Sequence, residues 1–213
     1  MNARRLLLQG LTSMVGFAIS NAAWAGIISF HPESAIYAGN GCPQGSTRIS
    51  VDDYGDLLME HDALSLDLPA YGTNQALAGR STCSIRVPLT IPRGFYVKAI
   101  EQRLIYAANK SAGAEARIAT RTALSGDTVT PFTVLLARDD KIYSESIIDS
   151  RRDQIDSRQR RQQYCSSERS EEMMLQANIA ISGQRDSIAE DLIVRSFGGY
   201  VGEGFEIEIG ACP

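Results

Sequence analysis

Apolar and polar side chains alternate along most of this chain. From Gly39 onward, runs with a period of two are cut by clusters of Gly, Pro, Asn and Asp, the pattern of strands with one buried and one wet face. Thr47–Val51 and Leu57–Glu60 flank a turn at Asp52–Asp56, and Ala63–Leu68 places Leu64, Leu66 and Leu68 on one side. Arg80–Ile91 gathers Cys83, Ile85, Val87, Leu89 and Ile91 opposite Ser84, Arg86, Pro88 and Thr90. Pro88 has no N–H to give a ladder, so this strand is expected at an edge or a bulge. After the turn Pro92-Arg93-Gly94, the run Phe95–Ala108 changes register near Lys98–Glu101, as a β-bulge would make it do. Ala114–Leu124, Thr128–Ala137, Met173–Ile181, Ile188–Phe197 and Phe205–Ile209 complete the strand candidates. Short strands at this spacing, with little amphipathic helix between them, predict an all-β fold, an antiparallel β-sandwich in preference to a barrel.

One region departs from the alternation. Residues 139–170 are expected to form a polar insert, because Arg151–Gln163 (RRDQIDSRQRRQQ) is highly charged, lacks Gly and Pro, and offers Asp156 and Arg160 at helical spacing. It reads as a charged inserted helix or loop with a solvated face. Its functional alternatives are a contact site for an acidic partner and a dibasic processing site at Arg158–Arg161.

The N-terminus adds a compartment. Met1–Ala25 has a positive start at Arg4 and Arg5, an apolar stretch and Ala23-Trp24-Ala25, the features of a secretory signal peptide cleaved before Gly26. Residues 26–213 then form one expected β-sandwich domain, secreted or periplasmic, with no span of membrane length. Cleavage removes two arginines and no acid, so the formal net charge of −4 becomes about −6. An acidic, lysine-poor surface of this kind disfavours nucleic-acid partners and leaves an extracellular ligand or protein as the expected one.

Four cysteines, Cys42, Cys83, Cys165 and Cys212, all follow the signal, and an even count in an exported chain points to two disulfides. They stand singly, without the close pairing that a zinc site uses. A strand after Cys165 pairing antiparallel with the strand before Cys212 would bring those sulfurs together, which leaves Cys42 with Cys83.

Candidate chemistry is thin. His31 and His61 are the two histidines; His61, followed by Asp62, is available as a base, but no G-x-S-x-G elbow accompanies it, and it reads as an exposed turn residue. A copper site on an N-terminal His31 would need cleavage after Phe30, against the small-residue rule. Asp52, Asp53 and Asp56 are candidate Ca²⁺ ligands, with strand termination and turn formation as the simpler reading. No cofactor is expected. Trp24 leaves with the signal, so no tryptophan remains to form a flat platform for sugars. Asn109-Lys110-Ser111 fits an N-glycosylation sequon. The leading expectation is a non-enzymatic binding or structural protein; the alternative is a secreted hydrolase or metal-dependent enzyme using His61, His31 or Asp52–Asp56.

Gly39-Asn40-Gly41-Cys42-Pro43-Gln44-Gly45-Ser46, then Arg80-Ser81-Thr82-Cys83 and Pro92-Arg93-Gly94-Phe95, resemble the secreted family named domain of unknown function 4360, with its G-x-G-C-P-x-G-S, R-x-x-C and P-x-G-F motifs. The resemblance is good over Gly39–Phe95 and looser beyond. It implies a secreted, disulfide-bonded, all-β domain and transfers no catalytic residues. The arginine-rich stretch Arg151–Gln163 is not part of that pattern.

Overall fold

The computed structural model describes residues 28–73, 75–125, 127–128, 131–154, 158–165, 171–195 and 202–213. Its elements in chain order are β1 (Ser29–Phe30), a single 3-10 turn (Pro32–Ser34), β2 (Ile36–Ala38), β3 (Thr47–Val51), β4 (Leu57–His61), β5 (Leu66–Leu68), β6 (Ala78–Ile91) and β7 (Phe95–Lys110). There follow β8 (Ala114–Leu124), β9 (Asp127–Thr128), β10 (Phe132–Leu136), β11 (Ile142–Gln154), α1 (Arg158–Cys165), β12 (Glu171–Arg185), β13 (Leu192–Arg195) and β14 (Gly202–Ala211). The expected signal peptide, Met1–Ala25, lies outside the described residues.

Two antiparallel sheets form. The first runs β1-β6-β12-β8-β10, with β2 beside β1 on the outer side of β6 and β9 at the end of β8. The second runs β3-β4-β14-β7-β13-β5, with β11 on the other side of β7. Inward side chains of both, among them Ile85, Val87, Leu89, Leu175 and Ile179 from one and Leu57, Ile100, Leu104 and Phe205 from the other, share one apolar core. This is the all-β, disulfide-bonded β-sandwich that the alternation requires.

The register change near Lys98 is present. Glu208 pairs with Ala99 and Ile209 with Val97, so Lys98 is the extra residue of a bulge in β7. Pro88 needs a correction, since β6 is not an edge strand: β12 pairs along its whole length. Its other side, however, carries only short β1 and β2, which reach Leu89–Thr90 and Ser84–Arg86. Pro88 falls in the gap between them, where its carbonyl accepts from the His31 N–H at 2.9 Å, so the missing N–H faces the thin side and not β12.

The polar insert over 139–170 is also corrected. Ile142–Gln154 is strand β11, paired with β7 from Lys110 to Ala99, and Arg158–Cys165 is an eight-residue helical turn that follows it. The alternation is hidden because the register shifts between Ser144 and Ile147, and because an edge strand with one neighbour tolerates polar side chains. Strand boundaries also tighten: Ala63–Leu68 becomes Leu66–Leu68, and Ile188–Phe197 becomes Leu192–Arg195, with Phe197 outside the described residues.

Both expected disulfides, Cys42–Cys83 and Cys165–Cys212, are formed, with Cα atoms 5.2 and 5.5 Å apart. The second has a different cause from the one expected. β12 and β14 lie in different sheets and do not pair. Instead β11 carries the chain to the far end of β7, α1 turns there, and Cys165 meets Cys212 just past β14. The glycine-rich motif before Cys42 has a steric reason. Asn40 continues the ladder of β2 with its side chain, accepting from Thr82 N–H at 2.8 Å and donating to the Arg80 carbonyl at 3.2 Å. Gly39 reaches that position at φ +124°, where a Cβ would sit 2.2 Å from the Thr82 carbonyl oxygen.

Candidate ligand-binding face

The residues singled out for catalysis do not converge. His61 is on β4 and buried, which corrects the exposed-turn reading; its Nδ1 lies 3.3 Å from Thr47 Oγ1 and 3.9 Å from Cys83 Sγ. Its Nε2 faces Glu203 Oε2 at 3.8 Å, and both side chains are 1% exposed. His31 instead contacts Thr90 Oγ1 at 3.0 Å. Cys83 and Thr90 are seven residues apart on β6 and point to opposite faces, so the two histidines are separated by roughly 23 Å of strand.

The acidic turn is committed too. Asp52 accepts from the N–H groups of Tyr54 and Asp56, both at 2.9 Å, shaping the turn from β3 to β4. Asp56 is ion-paired with Arg103. No cluster of three or more His, Cys, Asp or Glu side chains suited to a metal occurs among the described residues. The sequon is built into the fold as well: Lys110 is fully buried, and Ser111 Oγ accepts from Asp191 N–H at 3.1 Å.

Two surface grooves are better placed. The larger, about 780 Å³, lies beside β14 where β4 begins, lined by Ile28, Tyr54–Asp56, Lys98, Arg103 and Glu206–Ile209. Its charges neutralise one another: Arg103 pairs with Asp56 and with Glu206 at 3.4 Å, Lys98 with Glu208 at 2.5 Å, and Arg152 with Glu208. Arg151 pairs with Asp153 at 3.3 Å and Arg161 stacks on Tyr96, so the described part of the arginine-rich stretch is taken up internally.

The smaller groove, about 380 Å³, lies on the outer face of the first sheet. Its floor is β12, whose outward side chains Ser182, Ala180, Asn178 and Gln176 are small or neutral. Thr82 and Ser84 of β6 and Ala119 of β8 extend that floor, in cross-strand rows Thr82–Ala180–Ala119 and Ser84–Asn178–Arg121. Within it Ser84 Oγ contacts Asn178 Oδ1 at 2.7 Å and Asn178 Nδ2 donates to the Arg121 carbonyl at 3.1 Å. The walls are arginines: Arg80 projects from β6, Arg117 and Arg121 from β8, and Arg86 stands on the same face farther along β6. Two strand spacings put the walls about 10 Å apart at the backbone, with about 13 Å between Arg117 and Arg121 along β8.

Among the described residues none of these four guanidinium groups makes a hydrogen bond or ion pair, whereas Arg48, Arg103, Arg138, Arg151 and Arg152 all do. Guanidinium donors left unpaired over a recessed, neutral floor are available to the oxygens of an anion. The sequence carried part of this signal, since arginine stands on the polar side of both strands. That β12 lies between those strands is a property of the topology, which local spacing does not encode.

A family model described as domain of unknown function (DUF4360) matches residues 29–209. No curated protein matches the chain. Solved structures similar to it include TmCBM61 in complex with β-1,4-galactotriose, at 6% identity and a TM-score of 0.32 over 84% of this chain and 91% of that one. The mannan-recognising carbohydrate-binding module TmCBM27 is similar at 10% identity and a TM-score of 0.28, covering 78% of this chain and 99% of that one. The GH31 α-xylosidase from Xanthomonas citri is similar at 10% identity and a TM-score of 0.23, covering 89% of this chain and 18% of that one. Likeness at these scores carries no argument about what this chain binds.

Proposed function

We propose that this chain, which belongs to the DUF4360 family, is a non-catalytic β-sandwich of the cell exterior that binds an anionic ligand along β12. The observation that carries the reading is the set of uncommitted arginines, Arg80, Arg117 and Arg121 lining the groove and Arg86 beyond it on β6, around a floor without a carboxylate. In a protein of net charge −4, Arg48, Lys98, Arg103, Lys110, Arg138, Arg151, Arg152 and Arg185 are held by acids or carbonyls. Leaving four unpaired on one face concentrates positive potential there. Two disulfides agree with an oxidising compartment. The separation of His31 from His61, and the commitment of Asp52 and Asp56 to the turn and to Arg103, favour binding over catalysis.

Calorimetry against polyglutamate, polyphosphate and a uronate oligosaccharide tests this. At least one polymer is expected to bind, with affinity falling as salt rises, and the triple variant Arg80→Gln/Arg117→Gln/Arg121→Gln is expected to abolish binding while keeping the wild-type fold by circular dichroism. Failure of all three polymers to bind, or undiminished binding by the triple variant, overturns the reading.

A further inference from the structure

We infer that the ligand of the β12 groove is a single, unbranched acidic glycan chain bearing carboxylates, lying along the strand with its acid groups on the arginine walls and its hydroxyls on the floor. This rests on the anion-binding reading above and adds the class of polymer. Charge density comes first. Neighbouring arginines on a wall stand about 13 Å apart on β8 and, for Arg80 and Arg86, about 20 Å apart on β6. A nucleic-acid strand carries a phosphate every 3.4 Å or so, so most of its charges would lie unmatched between the guanidinium groups. A uronate chain carries one carboxylate per sugar and in an extended form turns successive ones to opposite sides, so each wall meets only every second one, and a carboxylate takes a guanidinium in a bidentate pair.

The floor discriminates further. Ser84 and Gln176 donate to Asn178 Oδ1, Thr82 donates to Asn40 Oδ1 and Asn178 donates to the Arg121 carbonyl, so the floor offers a ligand mainly the acceptor capacity of its hydroxyl and amide oxygens, which ligand hydroxyls can meet and carboxylates cannot. The described residues of this face include no aromatic ring, and the stacking platforms that hold single-stranded bases are therefore absent from them. Width acts in the same direction: walls about 10 Å apart admit one chain and no duplex. The acidic remainder of the molecule repels any polyanion that spreads beyond the groove, a membrane surface included.

The test titrates the whole mature chain with oligogalacturonate, a neutral oligogalactose of equal length, polyglutamate, single-stranded polynucleotide and phosphatidylglycerol vesicles, by calorimetry or co-sedimentation. Oligogalacturonate is expected to bind at least tenfold more tightly than any other probe. Arg117→Gln/Arg121→Gln should weaken it by roughly tenfold or more, about 1.4 kcal/mol per decade. Asn178→Ala, which keeps all four charges, should weaken oligogalacturonate several-fold and leave the residual affinity for polyglutamate unchanged. Equal or tighter binding of polyglutamate, polynucleotide or vesicles overturns the glycan assignment and leaves the anion reading standing. Tighter binding of the neutral oligosaccharide, or no binding by any probe, overturns both.

Discussion

Lys110 and Arg185 hold buried cations against backbone carbonyls. The Lys110 ammonium lies within hydrogen-bond distance of the carbonyls of Ser111, Ala114, Arg138 and Asp140, and Arg185 donates to those of Leu68, Pro69, Ala76 and Glu190. Each side chain gathers several carbonyls at loop ends, those of Ser111, Arg138 and Pro69 accepting an N–H as well, and so helps keep the buried polar backbone there satisfied. Burial pulls the Lys110 ammonium below the usual lysine range, against the attraction of Asp140 and Asp139. Lys110→Met keeps the length and removes every donor, so it should lower unfolding stability by about 2–4 kcal/mol. Urea denaturation checks this, and a loss under about 0.5 kcal/mol would show that water replaces the ammonium at no cost. Nothing in the sequence marks this role: Lys110 reads as the middle of a sequon in a turn, and a charged residue between polar neighbours carries no sign of burial. The same holds for Gln102, which accepts from Thr120 and Thr122 of the facing sheet, both at 3.1 Å, and donates to Glu203 at 2.6 Å.

At the scale of strands, legibility followed unbroken alternation, and the one-partner strand β3 lies where the sequence places it. β6, β8 and β12 lie between partners, bury one full face and alternate cleanly, and β7 alternates on either side of its bulge at Lys98, so the sequence locates them to within a few residues. β11 has one partner and a register shift, and its charged second half passes for a helix. Its attachment to the sheet gives a pH-dependent test. Tyr106 of β7 is buried and donates to Asp149 of β11 at 3.1 Å. Burial, then the Asp149 charge and that hydrogen bond, raise its phenol above the ordinary value of 10.0. Above pH 10 the unfolded phenol ionises while the folded one keeps its proton, so the stability present below pH 10 declines as pH rises further. Tyr106→Phe should lose about 1 kcal/mol at neutral pH and show a shallower alkaline decline. Equal slopes for variant and wild type between pH 9 and about pH 11 would refute the role of this phenol.

Over the whole molecule, the two disulfides fasten separate places. Cys42–Cys83 ties the Gly39–Ser46 loop to the middle of β6, and Cys165–Cys212 ties α1 to the end of β14, where Cys212 N–H donates to the Gly94 carbonyl at 2.7 Å. Cys83 is eight residues from Ile91, the end of β6 before the turn that holds Gly94, so the bridges stand roughly 26 Å apart along that strand. That four cysteines form two bridges was legible from their even count and the expected export signal, whereas their pairing was expected from a β12–β14 ladder, and the path that closes the second bridge runs through β11 and α1 instead. Sequence separations of 41 and 47 residues put the chain-entropy contribution of each bridge near 4 kcal/mol. Distant sites without shared partners act independently, so the losses from Cys42→Ala/Cys83→Ala and from Cys165→Ala/Cys212→Ala should sum in the quadruple variant to within about 0.5 kcal/mol. Chemical denaturation of the four proteins measures the cycle. A coupling above about 1 kcal/mol would mean that the loop at Cys42 and the turn at Gly94 unfold as one unit, with β6 transmitting strain between them.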